Sequence, residues 1–148
     1  MGKIKQFEPV MNIPQIVRSY VEAWNARDLD RYLATYAPDG TYSDPLLPQP
    51  TRAHDLREHF AGYFAGFPDV TCETEALDAI SDHLCVWRFI IRGTNTGSFR
   101  GTPPTGRRVT QPACEFIEIR DGRIHSVVGY MDVLTTLTQL GLAPSPAT

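Results

Sequence analysis

Three side chains stand where their type and surroundings suit proton transfer. Tyr20 lies among Ile13, Ile16, Val17, Val21 and Trp24, whose offsets of three and four residues trace one helix face, so its phenol points inward. A buried phenol needs a partner: either a backbone carbonyl within a core, or a ligand oxygen in a pocket. Asp44 ends a short strand and precedes Pro45. It either caps a turn or, on a pocket wall, removes a proton next to a carbonyl, a task helped by a pKa raised through partial burial. Glu115 alternates with Ile117 and Ile119 along a strand. That face should desolvate its carboxyl and keep it neutral, able to donate a hydrogen bond to an enolate oxygen; the other reading pairs it with Arg88 or Arg107. Asp132, ahead of the last helix, reads first as an N-cap.

Aromatic residues surround these candidates. Trp87 and Phe89 share one strand face, and Phe60, Tyr63, Phe64 and Phe67 fall on or just after one helix. Each reads alone as core; together with Trp24 they can line a pocket for a hydrophobic small molecule. His59, beside Phe60, is either a surface residue or part of the pocket mouth. His54, His59, His83 and His125 show no metal-ligand spacing, and Cys72, Cys85 and Cys114 form no C-x-x-C pair. Buried free thiols are the expectation. With no G-x-G-x-x-G, no P-loop and no nucleophile elbow, the chemistry is expected to need no cofactor and no metal.

The elements that must position these residues follow from periodicity. The chain has 148 residues, 42% of them hydrophobic, with 14 Lys and Arg against 17 Asp and Glu. That suits one domain with its own core, and the absence of a basic stripe argues against nucleic acid. There is no apolar run long enough to span a membrane and no signal peptide, so a cytoplasmic location is expected. Residues 1–12 read as a flexible arm, 13–143 as a single domain and 144–148 as a mobile tail. A helix is predicted over 13–26, with Asn12 offering an N-cap, and a second after Asp28 through Tyr36, stopped by a turn at Pro38-Asp39-Gly40. A short strand over 41–43, a helix over 53–66, and strands over 70–80, 83–92, 109–120 and 124–132 follow. Residues 93–106 read as a long loop or ragged edge, Asp121-Gly122 as a hairpin turn, and 134–140 as a last helix. Helices first, then successive strands, is an α+β pattern: three N-terminal helices packed on a curved antiparallel sheet, which, if the curvature is strong, makes a cone-shaped α+β barrel with an interior pocket.

Five stretches resemble the SnoaL-like polyketide cyclases of the nuclear transport factor 2-like superfamily: Tyr20 to Asp28, Phe67-Pro68-Asp69, Gly101-Thr102-Pro103-Pro104-Thr105-Gly106-Arg107, Asp121 to Ile124, and Asp132-Val133-Leu134 with Gln139-Leu140-Gly141. The N-terminal half is also similar to bacterial ketosteroid isomerases, whose pocket tyrosine and general-base aspartate match Tyr20 and Asp44, 24 residues apart. Their third residue, a protonated aspartate, matches Glu115. The resemblance implies that Asp132 serves as an acid/base, and that copies of the chain pair as a homodimer through the open sheet face. It departs on the last strand, where Ser126-Val127-Val128-Gly129 stands in place of a polar, His-containing stretch. The implied activity is acid–base chemistry on a polycyclic, polyketide-like carbonyl compound. Asp44 or Asp132 would remove the proton, and Tyr20 and Glu115 would hold the enolate. The outcome is cyclisation or isomerisation; cofactor-free hydroxylation and non-catalytic ligand binding are the alternatives.

Overall fold

The computed structural model describes residues 12–144. The arm expected over 1–12 and the tail expected over 144–148 lie almost wholly outside them. Helix α1 (Gln15–Asn25) begins after Pro14 with no side-chain cap, so the N-cap expected of Asn12 is not made. It buries Val17, Tyr20 and Ala23 on the face its spacing marked. Helix α2 (Leu29–Ala34) is capped by Asp28, whose carboxylate accepts from Arg31 N–H at 3.0 Å. Two-helix packing and a 3₁₀ turn over Ala53–Leu56 lead into α3 (Arg57–Gly66).

Strand β1 (Tyr36–Ser43) starts earlier than expected and runs through Pro38-Asp39-Gly40, where a turn was predicted. Its ladder skips between Tyr36 and Thr41, so Pro38 is spared a missing donor. Gly40 serves close approach rather than turning: a Cβ there would lie 2.9 Å from the Ile124 carbonyl oxygen. A two-residue strand, β2 (Thr51–Arg52), escaped the sequence reading. Strands β3 (Thr71–Ser81), β4 (Leu84–Thr94), β5 (Arg108–Arg120) and β6 (Arg123–Met131) form an antiparallel meander.

The sheet order is β2-β1-β6-β5-β4-β3, and β1 joins β6 in parallel. The sheet is therefore mixed, not wholly antiparallel: the chain leaves β1 by way of α3 and returns through three strands, so β6 meets β1 pointing the same way. Register shifts in the β3–β4 and β5–β6 ladders mark bulges, which bend strands. The result is the expected α+β cone, a curved six-stranded sheet that does not close, with helices over its concave face.

Helix α4 (Val133–Leu140) covers an open stretch of edge. The β5–β6 ladder starts only at Ala113, leaving residues 108–112 of β5 without a strand on that side. Pro112 is tolerated there because no ladder needs its missing donor on that edge. Gln139 substitutes for the absent strand: its amide oxygen accepts from Thr110 N–H at 2.8 Å, and its amide nitrogen donates to Thr110 C=O at 3.0 Å. No helix among the described residues is long and apolar enough to cross a membrane.

Candidate active site

Alternation along β5 sends Val109, Gln111, Ala113, Glu115, Ile117 and Ile119 inward and their neighbours outward. Glu115 is 7% exposed, flanked across the sheet by Trp87 on β4 and Gly129 on β6. It pairs with no arginine; Arg88 instead reaches Glu75 on the outer face. Helix α1 brings Tyr20, 95 positions away in sequence and 1% exposed, into line with it. The Tyr20 hydroxyl donates to Glu115 Oε2 at 2.8 Å, Tyr32 donates to the Tyr20 oxygen at 3.0 Å, and the Tyr32 and Tyr36 hydroxyls meet at 3.2 Å.

Burial pushes the Glu115 carboxyl up to about 7; the Tyr20 hydrogen bond lowers it in part, and the negative charge of Asp44 adds to the rise. Burial also pushes Tyr20, Tyr32, Tyr36 and Tyr42 above the ordinary phenol value, so all four remain neutral donors. A carboxyl that titrates near neutrality inside an aromatic shell is suited both to take and to give a proton. A side chain at Gly129 would place its Cβ 3.5 Å from Glu115 Cγ and 3.7 Å from the Tyr42 oxygen, so the glycine leaves space beside the carboxyl.

Asp44 is buried at the end of β1 with both oxygens occupied. Oδ1 accepts from Leu46 N–H at 2.7 Å; Oδ2 accepts from the Tyr42 hydroxyl at 3.2 Å and faces His59 Nε2 at 3.4 Å. Burial pushes its carboxyl up, but the hydrogen bonds from His59, Leu46 and Tyr42, with the His59 charge, outweigh that and hold it below the ordinary value. Its side chain has no exposed surface. This carboxylate is set to stay ionised and to anchor the chain after β1. Asp132 lies elsewhere, exposed, and caps α4: it accepts from Thr135 N–H at 2.9 Å and from the Thr135 hydroxyl at 2.6 Å.

Two neighbouring hollows hold the rest. A small inner one of about 40 Å³ is lined by Tyr20, Glu115, Trp24, Trp87, Phe89 and Tyr63, among others. It has room for roughly three waters or a carbonyl group, not a ring system. It shares Tyr63, Val70, Ile91 and Met131 with an outer chamber of about 260 Å³, mostly apolar, closed by Phe99 and Arg100 on one side and by Val133 and Leu137 of α4 on another. Trp87 and Phe89 stack with ring centres 3.9 Å apart and give the inner hollow a flat wall. Of the remaining pocket candidates, Phe60 packs into the core between Tyr32 and Tyr42, and His59 lines a separate groove with Tyr63 and Arg100. Among the described residues no group of His, Cys, Asp and Glu is arranged to hold a metal ion. Cys72 and Cys85 are buried free thiols, and Cys114 is half-buried.

Of the outer chamber, sequence pointed to Tyr63 and Phe67 but not to Gln111, Phe99 or Arg100. Its floor residue Gln111 carried a usable signal, the inward register it shares with Glu115. Its rim residues Phe99 and Arg100 carried none, because residues 93–106 read as plain loop. Buried Asn95 organises that loop: its amide donates to Gly66 C=O and Gly97 C=O and accepts from Thr105 N–H and the Thr105 hydroxyl.

Comparison with known proteins gives the family and the fold. Residues 14–140 match the profile of the SnoaL-like polyketide cyclases, and the chain belongs to that family. No curated protein matches it. Among solved structures, IdmH from Streptomyces antibioticus, a proposed polyketide cyclase, is 29% identical, with a TM-score of 0.74 over 86% of this chain and 96% of that one. AclR from Streptomyces galilaeus, a proposed hydroxylase, is 24% identical, with a TM-score of 0.79 over 90% and 87%. A SnoaL-like protein from Jannaschia sp. CCS1 is 22% identical, with a TM-score of 0.77 over 90% and 97%. The last two share the fold.

Proposed function

We propose that this member of the SnoaL-like polyketide cyclase family cyclises a hydrophobic, polyketide-like carbonyl compound by acid–base chemistry at Glu115. The observation that carries the proposal is a buried carboxyl, its pKa pushed up to about 7, lining an aromatic-walled hollow. Near neutral pH a large share of Glu115 is ionised and takes a proton from the carbon next to a substrate carbonyl. The inner hollow admits the reacting carbonyl while the carbon skeleton fills the outer chamber. Tyr20 keeps the carboxyl oriented. Tyr63, which borders both hollows and whose buried hydroxyl lies near Asp44 without a hydrogen bond of ordinary length, donates to the enolate oxygen. The enolate carbon then attacks an internal carbonyl, and Glu115 returns its proton to the new alkoxide. Reprotonation at another carbon would instead give isomerisation. The likeness to IdmH favours cyclisation.

In this reading Asp44 is not the base. Its lowered pKa and its occupied oxygens suit a fixed negative charge that keeps Glu115 high, and Asp132 acts as a helix cap. A homodimer is part of the proposal: Phe116 and Tyr130, 40% and 58% exposed, stand together on the outer sheet face with ring centres 6.1 Å apart. The chemistry is tested by deuterium exchange from D₂O into the α-carbon of a panel of polycyclic β-keto esters. The protein should accelerate exchange for members of the panel, and Glu115→Gln should cut that rate by roughly 10²–10⁴-fold, the range of one acid–base residue. Exchange no faster than in buffer, or undiminished in Glu115→Gln, would leave a binding role instead.

A further inference from the structure

The outer chamber holds polar groups that the reaction at Glu115 does not employ. Gln111 is 3% exposed, lines the chamber, and its amide nitrogen has no hydrogen-bond partner. Buried donors are almost always satisfied, so an idle amide on a residue that lines a cavity points to a ligand acceptor. Arg100 lines the same chamber, which no Asp or Glu lines, and its guanidinium makes no ion pair among the described residues.

The way Arg100 is held strengthens the case. Phe99 and Thr102 exchange backbone hydrogen bonds at 3.0 and 2.9 Å, and the two residues between them, Arg100 and Gly101, have φ of +49° and +77°. Such two-residue turns favour Asn, Asp or Gly at both central places, because a Cβ is strained at positive φ. An arginine at the first place works against the turn, yet it puts the long cation at the chamber rim. Strain of this kind collects where a side chain has a task.

We propose that the outer chamber binds a carboxylate at the end of the substrate remote from the reacting carbonyl, with Arg100 and Gln111 as its specificity-determining donors. This rests on the reading that Glu115 marks the reacting end. Gln111 and Glu115 share the inward face of β5 four residues apart, which sets the two ends about 13 Å apart along the strand. A fused-ring skeleton bearing a carboxylate on its far ring spans that distance.

The probes are anthraquinone-2-carboxylate and its primary amide, which differ in charge and little in shape. The chain has two tryptophans, Trp24 and Trp87, and both line the inner hollow, so quenching of their fluorescence reports binding. The carboxylate should bind about tenfold more tightly than the amide, the worth of one charge-assisted hydrogen bond. Arg100→Asn, which suits the turn better than the arginine, should abolish that preference by weakening the carboxylate much more than the amide. Gln111→Met should weaken the carboxylate further, and Glu115→Gln should keep the preference. Equal binding of the two probes, a preference that survives Arg100→Asn, or no quenching by either probe overturns the proposal. A preserved preference alongside undiminished deuterium exchange in Glu115→Gln would sink the acid–base reading and leave this site standing.

Discussion

Replacing Glu115 by glutamine tests the buried carboxyl through stability alone, with no substrate. In the folded chain the carboxyl pKa is pushed from 4.5 to about 7, chiefly by burial. The native state therefore binds its proton more tightly than the unfolded chain does. The stability contributed by this group is complete below pH 4.5 and is lost as pH rises through about 7, because the folded state must then release a proton or carry a buried charge. Each pKa unit is worth about 1.4 kcal/mol, so the loss amounts to about 3 kcal/mol. Glu115→Gln keeps the side-chain shape and cannot titrate. Other titrating groups change alike in both proteins and cancel in the difference. The variant should thus gain on the wild type by about 3 kcal/mol between pH 4.5 and pH 8, roughly 10 °C in Tm for a chain of this size. Urea and thermal unfolding of both proteins across that range would measure it. A stability difference that stays flat with pH would refute the reasoning, because it would mean that Glu115 titrates like an exposed carboxyl.

Asp132→Ala should lower Tm by a few degrees through loss of the α4 cap and leave turnover unchanged; a large loss of turnover would return this residue to the chemistry. Asp44→Asn should cost stability at neutral pH. Because the Asp44 pKa is lowered on folding, that cost should persist above its ordinary value of 3.8 and fade as pH falls below it, as read by acid unfolding of both proteins. The same variant should lower the Glu115 pKa, since the neighbouring charge is gone. Phe116→Glu with Tyr130→Glu should convert a dimer to a monomer in light scattering after size exclusion; a wild type that is already monomeric would remove the dimer from the proposal.

Much of the fold was legible because local rules and tertiary packing agree here. The face of α1, the Asp28 cap, the Asp121-Gly122 hairpin and the alternation of β5 all follow from spacing and turn chemistry. The parallel β1–β6 pair was not legible, since β1 is short, interrupted by Pro38 and paired with residues more than eighty positions away. Tyr20 and Glu115 could each be singled out, but their direct hydrogen bond could not, and in the proposed mechanism it alters their roles: the phenol orients the carboxyl rather than holding an enolate. The Asp44 pKa lies below its ordinary value, against the rise expected from burial, for a reason that sequence conceals. Burial alone would raise it, and only the three donors converging from Leu46, Tyr42 and His59 reverse the sign. Arg100 lay in a segment whose shape depends on the buried Asn95 amide, a side chain with no distinguishing neighbours in sequence.

The most direct test is a carbon-13 NMR titration of the glutamate side-chain carboxyls, with the Glu115 signal assigned by its loss in Glu115→Gln. One carboxyl should titrate near pH 7, and Tyr20→Phe should move it higher by about one to two units, as expected when a hydrogen bond to a buried charged group is removed. A Glu115 signal titrating near 4.5, or one indifferent to Tyr20→Phe, would contradict a proton-handling carboxyl lining this cavity.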